Sequence, residues 1–380
     1  MKNMPEIRFK GFTDAWVQRK LGEVVKVNSG RDYKHLNYGN IPVYGTGGYM
    51  LSVDESLSDI DAVGIGRKGT IDKPQLLKAP FWTVDTLFFM TPIQSNELLF
   101  LYTVSQSIEW TKLDESTGVP SLSKLNIENV VKYIPNLFEQ AAIGNFFHTL
   151  DNTILLYKRK LDSLKQLKKA YLQHMFPQEG ETVPKVRFAG FTGDWEMRLL
   201  GEHTKLITKG TTPEIRSGNG LINFIKVENI SNGKISLNSK ITKEEHEGFL
   251  KRSKLEEGDI LISIAGTLGR IAIVKADILP ANTNQALAII RGYDFDSNFL
   301  FISLHGNAVA DYIRKNPTIG AQPNLSLEQI GKLTIWTPKL KEQTAIGNFF
   351  SNIDEQIATQ QTKLDNLKKL KSTYLQKMFV

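Results

Sequence analysis

The chain has 380 residues, 41% apolar and 23% charged, enough for two or three domains that each bury a core. It contains no cysteine, which excludes disulfide scaffolds, Cys-ligated zinc, iron–sulfur clusters and thiol catalysis. A net charge of +7 favours a polyanionic partner, and a polar start with no apolar run near the roughly 18 residues of a membrane span points to a cytoplasmic protein without membrane contact.

The predicted elements come in an order that is written twice. Pro5–Val24, PEIRFKGFTDAWVQRKLGEV, recurs as Pro184–His203 with 11 of 20 positions identical. A first middle follows, with short strands expected at Ile41–Tyr44, Ala62–Ile65 and Leu87–Met90 and a helix at Glu97–Glu109. Within it, GIGRKG at Gly64–Gly69 fits a dinucleotide-binding spacing, but no helix opens after it, so it reads as a strand ending in a tight loop.

Glu139–Phe176 reads as one long helix. Ile143, Leu150, Tyr157, Leu164 and Tyr171 form one heptad row, and Phe147, Ile154, Leu161, Lys168 and Met175 form the second. After the loop PQEGETVP, a second middle carries strands at Ile260–Ile264, Ile271–Val274 and Ala286–Ile290 and a helix at Ser297–Arg314. Glu342–Phe379 then repeats the long helix with 22 of 38 positions identical. Its rows are Ile346, Ile353, Gln360, Leu367 and Tyr374 beside Phe350, Ile357, Leu364, Lys371 and Met378. Lys168 and Lys371 fall in the same layer of both copies and read as register or solubility features.

Between the repeated blocks the middles share little, apart from echoes such as Gly69-Thr70 with Gly266-Thr267, Pro80 with Pro280, and Leu122-Ser123 with Leu325-Ser326. The second middle is 24 residues longer. The expected fold is α+β: two mixed α/β domains joined by two long helices in an antiparallel coiled coil, with a pseudo-twofold internal repeat. The corresponding domains are residues 1–138, 139–177, 178–341 and 342–380.

Catalytic motifs are scarce. There is no P-loop, no H-E-x-x-H, no E-x-K triplet, and no N-P-P-[YFW]; the six histidines do not pair at metal-ligand spacing. We therefore expect a binding protein with no catalytic residues, no metal and no cofactor of its own.

The plan and its motifs resemble the DNA-specificity (S) subunit of type I restriction–modification systems. The resemblance is carried by RFxGFTxxW at Arg8–Trp16 and Arg187–Trp195, EQxAIGNFF at Glu139–Phe147 and Glu342–Phe350, and YLQxMF at Tyr171–Phe176 and Tyr374–Phe379, with IPVYGTGG at Ile41–Gly48. It implies that each middle is a target recognition domain reading one half of an asymmetric, bipartite sequence in double-stranded DNA. It further implies that the helices hold two modification methyltransferase subunits, that restriction/translocase subunits join the assembly, and that S-adenosylmethionine, ATP and Mg belong to those partners. The alternative is a stand-alone coiled-coil DNA-binding regulator, which would bind DNA tightly without a methyltransferase.

Base reading uses Arg, Lys, Asn, Gln, Ser and Thr on exposed loops. In the first domain this selects Arg31, Lys34, His35, Arg67, Lys68, Ser116 and Thr117, together with Tyr44, Gly45, Thr46 and Gly47, whose glycine-rich loop either brings backbone close to phosphate or is a plain tight turn. In the second it selects Lys209, Thr211, Thr212, Arg216, Lys226, Asn229, Thr267, Arg270, Asn284, Lys315 and Gln322. The amide-rich Asn282–Gln285 stretch either contacts bases or caps a strand end. Trp16 and Trp195 stack bases or, as we prefer, anchor each domain on the helices. Phe146 and Phe349 fill that junction or meet the methyltransferase. Residues 134–177 hold 6 basic against 3 acidic side chains and residues 337–380 hold 7 against 4, so nearly all the net charge lies on the helices. Either the partner supplies much of the phosphate attraction, or lysine solvates the outer helix faces.

Overall fold

A computed structural model describes residues 4–213, 220–315 and 324–380, apart from the side chains of 307, 310 and 311. The chain divides into two compact units, Met1–Lys160 with Gln360–Val380, and Leu161–Thr359.

In the first unit the strands are β1 Val17–Lys20, β2 Val25–Ser29, β3 Tyr38–Gly45, β4 Gly48–Val53, β5 Ala62–Gly66, β6 Gln75–Leu77, β7 Trp82–Thr83, β8 Leu87–Pro92 and β9 Val131–Ile134. They make an antiparallel sheet in the order β2-β8-β5-β6, a second sheet β4-β3-β7 whose β3–β7 pair is parallel, and a ribbon β1-β9. β5, AVGIG, is an inner strand buried along its length, so the glycine-rich motif builds the core here. Helix Leu98–Gln106 lays Phe100, Leu101 and Val104 into the core with Val63, Ile65 and Met90.

The second unit has β10 Glu196–Leu199, β11 Thr204–Lys209, β12 Ile222–Ile225, β13 Ile230–Ser231, β14 Lys234–Ile235, β15 Lys240–Ile241, β16 Ile260–Ser263, β17 Ile271–Ile273, β18 Ala281–Thr283, β19 Leu287–Tyr293 and β20 Thr334–Thr337. Their sheets, β11-β19-β16-β17, β15-β12-β18 and β10-β20, reproduce the first unit strand for strand, again with one parallel pair in the three-stranded sheet. Most of the extra length lies between β12 and β16, where the tight β3–β4 hairpin is replaced by an excursion holding the β13–β14 hairpin and by helix Lys243–Glu247. The weak echoes occupy equivalent places. Pro80 and Pro280 both follow cis peptide bonds. Ser123 and Ser326 both cap short helices, accepting from Asn126 and Gln329 N–H.

The long helices are Leu137–His174 and Leu340–Lys377, 38 residues each and so about 57 Å. In the first unit the front of the central helix runs antiparallel to the end of the terminal one: Phe146 meets Tyr374 at 5.2 Å between ring centroids, and Asp151 pairs with Lys371 at 2.5 Å. In the second unit Tyr171 meets Phe349 at 4.9 Å and Lys168 pairs with Asp354 at 2.6 Å. Every apolar heptad position named above is buried or half-buried, while off-row leucines such as Leu155, Leu156, Leu167 and Leu370 are exposed. Gln360 is buried, and its side-chain oxygen has no partner among the described residues.

Candidate nucleic-acid interface

The repeated motifs build the frame that holds the loops. Arg8 grips the buried Glu139 carboxylate through Nε at 2.6 Å and Nη2 at 2.7 Å, and Arg187 grips Glu342 at 2.7 and 2.8 Å. Each carboxylate holds the pKa of its guanidinium above the usual value, chiefly through the hydrogen bond. Gln140 donates to Pro135 O and accepts from the Glu97 N–H; Gln343 does the same with Pro338 O and the Asp296 N–H. A Cβ on Gly144 would stand 2.6 Å from Phe100 N, and one on Gly347 would stand 2.7 Å from Asp296 Oδ1, so glycine permits the close approach of helix to domain.

Phe146 packs edge-on against Phe9, Phe147 and Tyr374, and Phe349 against Phe188, Phe350 and Tyr171. Trp16 and Trp195, both buried, contact Phe379 and Phe176 respectively. EQxAIGNFF, RFxGFTxxW and YLQxMF thus form one joint in each unit, made of side chains that face inward.

At another edge of the first unit several loops converge. A cleft of about 770 Å³ is lined by residues that include Asp32, Lys34, Gly45, Thr46, Gly47, Tyr49, Met50 and Asp85. Gln75 Nε2 donates to Gly45 O and Thr46 O and pins the hairpin tip. The Arg67 and Lys68 N–H groups both reach Thr86 O, and Lys68 bridges to Ser121. Asp114 Oδ1 accepts from the Ser116 backbone and hydroxyl and from Ser121 N–H, which ties Ser116 to the same loop and holds the Asp114 carboxyl below the usual range. Arg31, Lys34, His35, Gly47, Arg67, Lys68 and Thr117 are exposed here, Tyr44, Thr46 and Ser116 half-buried, and Gly45 buried. Arg67 also stands over the Phe88 ring at 5.6 Å, and His35 meets Trp82 at 5.8 Å.

The equivalent loops of the second unit hold Lys209, Thr211, Thr212, Lys226, Thr267, Arg270 and Asn284. Thr211 N–H donates to Thr283 O, Asn284 N–H to Ile225 O, and the Thr212 hydroxyl to Gln285 Oε1. Arg270 Nη1 donates to Val227 O at 3.1 Å and Ile230 O at 3.2 Å, pinning the excursion as Gln75 pins the hairpin tip. Asn229 is buried, with Oδ1 accepting from Lys226 N–H and Nδ2 donating to Asn238, so its carboxamide is taken up within the loop. Asn282 is buried and bonded to His246, Leu250 O and Ser253, which is core capping. Asn284 is half-buried and its Oδ1 has no partner among the described residues. Lys315 lies apart from this set, paired with Glu179 at 2.9 Å. Arg216 and Gln322 fall outside the described residues.

Sequence reasoning passed over Asp32, Tyr49, Met50 and Asp85. Acidic and apolar side chains do not suggest DNA, and only the strand ends that carry them reveal where they stand. A glycine follows the strand end in both units: a Cβ at Gly30 or Gly210 would approach a carbonyl oxygen of the β7–β8 or β18–β19 turn within about 2 Å. Among the described residues no helix is long and apolar enough to cross a membrane, and no group of three or more His, Cys, Asp or Glu could hold a metal ion.

Fold and motif place the chain among modular DNA-specificity proteins. A family model, the type I restriction modification DNA specificity domain, matches residues 13–166 and again 192–369, and the chain belongs to that family. It is 25% identical over 301 residues to the type I restriction enzyme MjaVIII specificity subunit of Methanocaldococcus jannaschii, spanning 73% of this chain and 68% of the relative. It is also 25% identical over 282 residues to the EcoBI specificity subunit of Escherichia coli, spanning 66% of this chain and 59% of that protein. Among solved structures, the S subunit of the M. genitalium type I restriction–modification system superposes with a TM-score of 0.70 at 15% identity, covering 99% of both chains. A chain from a type I system solved for its complex assembly and conformational transition gives 0.50 at 17% identity, covering 96% of this chain and 97% of that one.

Proposed function

We propose that this chain is the non-catalytic DNA-recognition subunit of a type I restriction–modification complex. Its two units would read the two halves of an asymmetric, bipartite target in double-stranded DNA. Its helices would carry two adenine methyltransferase subunits, and restriction/translocase subunits would join them. S-adenosylmethionine, ATP and Mg would enter only with those partners.

The observation that carries the reading is one topology built twice, with nearly identical joints and unlike loops. Unlike loops suit two different half-sites, and like helices suit two copies of one partner. Most of the candidate side chains that are described lie on loops tied together by shared hydrogen bonds, which supports a surface where backbone groups position phosphate and side chains reach base edges. The concentration of net charge on the helix blocks fits a protein that binds DNA weakly until its partner adds phosphate contacts.

The test is co-purification with the cognate adenine methyltransferase, followed by genome-wide mapping of methylated adenines. A stable complex that methylates a split, asymmetric motif is the expected result. No complex, together with tight sequence-specific binding by the chain alone, would instead establish the stand-alone regulator.

A further inference from the structure

The two units share a pattern of backbone hydrogen bonds that matches their loops residue by residue. Gly30 N–H donates to Leu87 O and Gly210 N–H to Leu287 O; Arg31 N–H donates to Thr83 O and Thr211 N–H to Thr283 O. Val84 N–H donates to Tyr44 O and Asn284 N–H to Ile225 O, and the Leu87 and Leu287 N–H groups return to Val84 O and Asn284 O. In this register Asp32 corresponds to Thr212 and Asp85 to Gln285. The Pro80 and Pro280 echo already sets Asp85 against Gln285, whereas Asp32 and Thr212, shifted by one from the front repeat, are matched only by these bonds.

The chemistry at the two places differs sharply. In the first unit Asp32 and Asp85 are exposed on the cleft with Lys34 beside them. The only bond made by the Asp32 carboxylate among the described residues is from Lys34 N–H at 3.3 Å, and the Asp85 carboxylate makes none. In the second unit Thr212 and Gln285 are exposed and bonded to each other, the hydroxyl donating to the carboxamide oxygen. The contact sets a hydroxyl and a carboxamide side by side, two groups that both donate and accept.

A carboxylate only accepts, so in a DNA groove it suits an exocyclic amino group and repels the acceptor edges of guanine and thymine. A lysine beside it suits the guanine O6 and N7 of the same base pair. A carboxamide suits the N6 and N7 pair of adenine.

We propose that Asp32 and Asp85, and at the equivalent place Thr212 and Gln285, are the specificity-determining pairs of the two units: the first selects a C·G pair through cytosine N4, with Lys34 on guanine, and the second selects adenine. This inference rests on the reading of the chain as a DNA-recognition subunit.

The experiment uses the full chain in complex with its adenine methyltransferase and reads the methylated motif on genomic DNA. The wild-type motif should be split, with a C·G pair in one half and an additional required adenine in the other. Asp85→Asn should weaken the cytosine preference at one position by roughly tenfold, the size expected for losing one good base contact. The double variant Asp32→Thr with Asp85→Gln should move that position from cytosine to adenine and leave the other half unchanged. Gln285→Asp should alter one position of the other half alone. All these side chains are exposed, so complex formation should persist, and its persistence is the folding control.

The inference is overturned if a split motif is found and the variants leave every position within about twofold of wild type, or if either alters both halves. A wild-type complex that methylates no split motif would overturn the underlying reading itself, which is a different result from a motif that ignores these pairs.

Discussion

The joints and the loops of this protein have diverged to very different degrees on one scaffold. At the joints, Arg8 with Glu139 and Arg187 with Glu342 make the same two-pronged ion pair, and the Gln140 and Gln343 carboxamides close the same two backbone groups. At the loops, a four-residue tip at Gly45–Gly48 in one unit corresponds to a long excursion between β12 and β15 in the other, and two carboxylates correspond to a threonine and a glutamine. A buried pair constrains both partners and their surroundings at once, whereas an exposed side chain at a strand end can change without disturbing the core. One joint differs in detail: Trp16 Nε1 donates to Glu139 at 3.1 Å, while Trp195 Nε1 has no partner among the described residues.

That difference can be made into a measurement. Arg8→Ala and Arg187→Ala should each cost about 3–5 kcal/mol of unfolding free energy, because each strands a buried carboxylate. Arg187→Ala should be the worse by about 1 kcal/mol, since Glu139 keeps the Trp16 bond and Glu342 has no such donor among the described residues. Denaturant unfolding of the two variants checks both figures; equal costs would show that the indole bond contributes nothing.

Next in size, Leu161→Asp and Leu364→Asp each place a charge at a position only 3% exposed and should each cost about 3 kcal/mol or more. Wild-type thermal stability in either would break the helix pairing. Gly144→Ala and Gly347→Ala should each lose about 1–3 kcal/mol by overpacking, with part of the loss offset by the better helix propensity of alanine. Similar losses at the two sites would confirm that the joints are equivalent.

The smallest effect belongs to a feature of the second unit alone. His305 stacks on Phe301 at 5.6 Å, and partial desolvation, aided by the Lys168 charge and opposed by Asp354, lowers its pKa from the ordinary 6.5. As pH falls through 6.5 the unfolded chain takes up a proton that the folded unit resists, so stability declines toward acid. His305→Gln should remove that part of the slope, measured as the change in denaturant midpoint on either side of pH 6.5.

Much of the architecture was legible in the residues. The predicted strands at Ile41–Tyr44, Ala62–Ile65 and Leu87–Met90 fall within β3, β5 and β8, and the helix expected at Glu97–Glu109 is Leu98–Gln106. Several other strands escaped notice, among them β1 and β10; β1 is exposed at all four positions and β10 at three of its four, so neither carries an alternating pattern. The helix expected at Ser297–Arg314 is interrupted at Leu304–Ala308, where Gly306 leaves helical backbone angles.

For the candidate site the balance shifts. The repeat, the heptad rows and the joint motifs were determined by sequence alone, because a buried, periodic or paired residue has few substitutes and so leaves the same letters in both copies. The equivalence of Asp85 with Gln285 follows from the Pro80 and Pro280 echo, but that of Asp32 with Thr212, and the meeting of each pair at one edge, was decided only by the tertiary structure. Those positions are defined by backbone hydrogen bonds between distant strands, and a backbone bond makes no demand on the side chain that its residue carries.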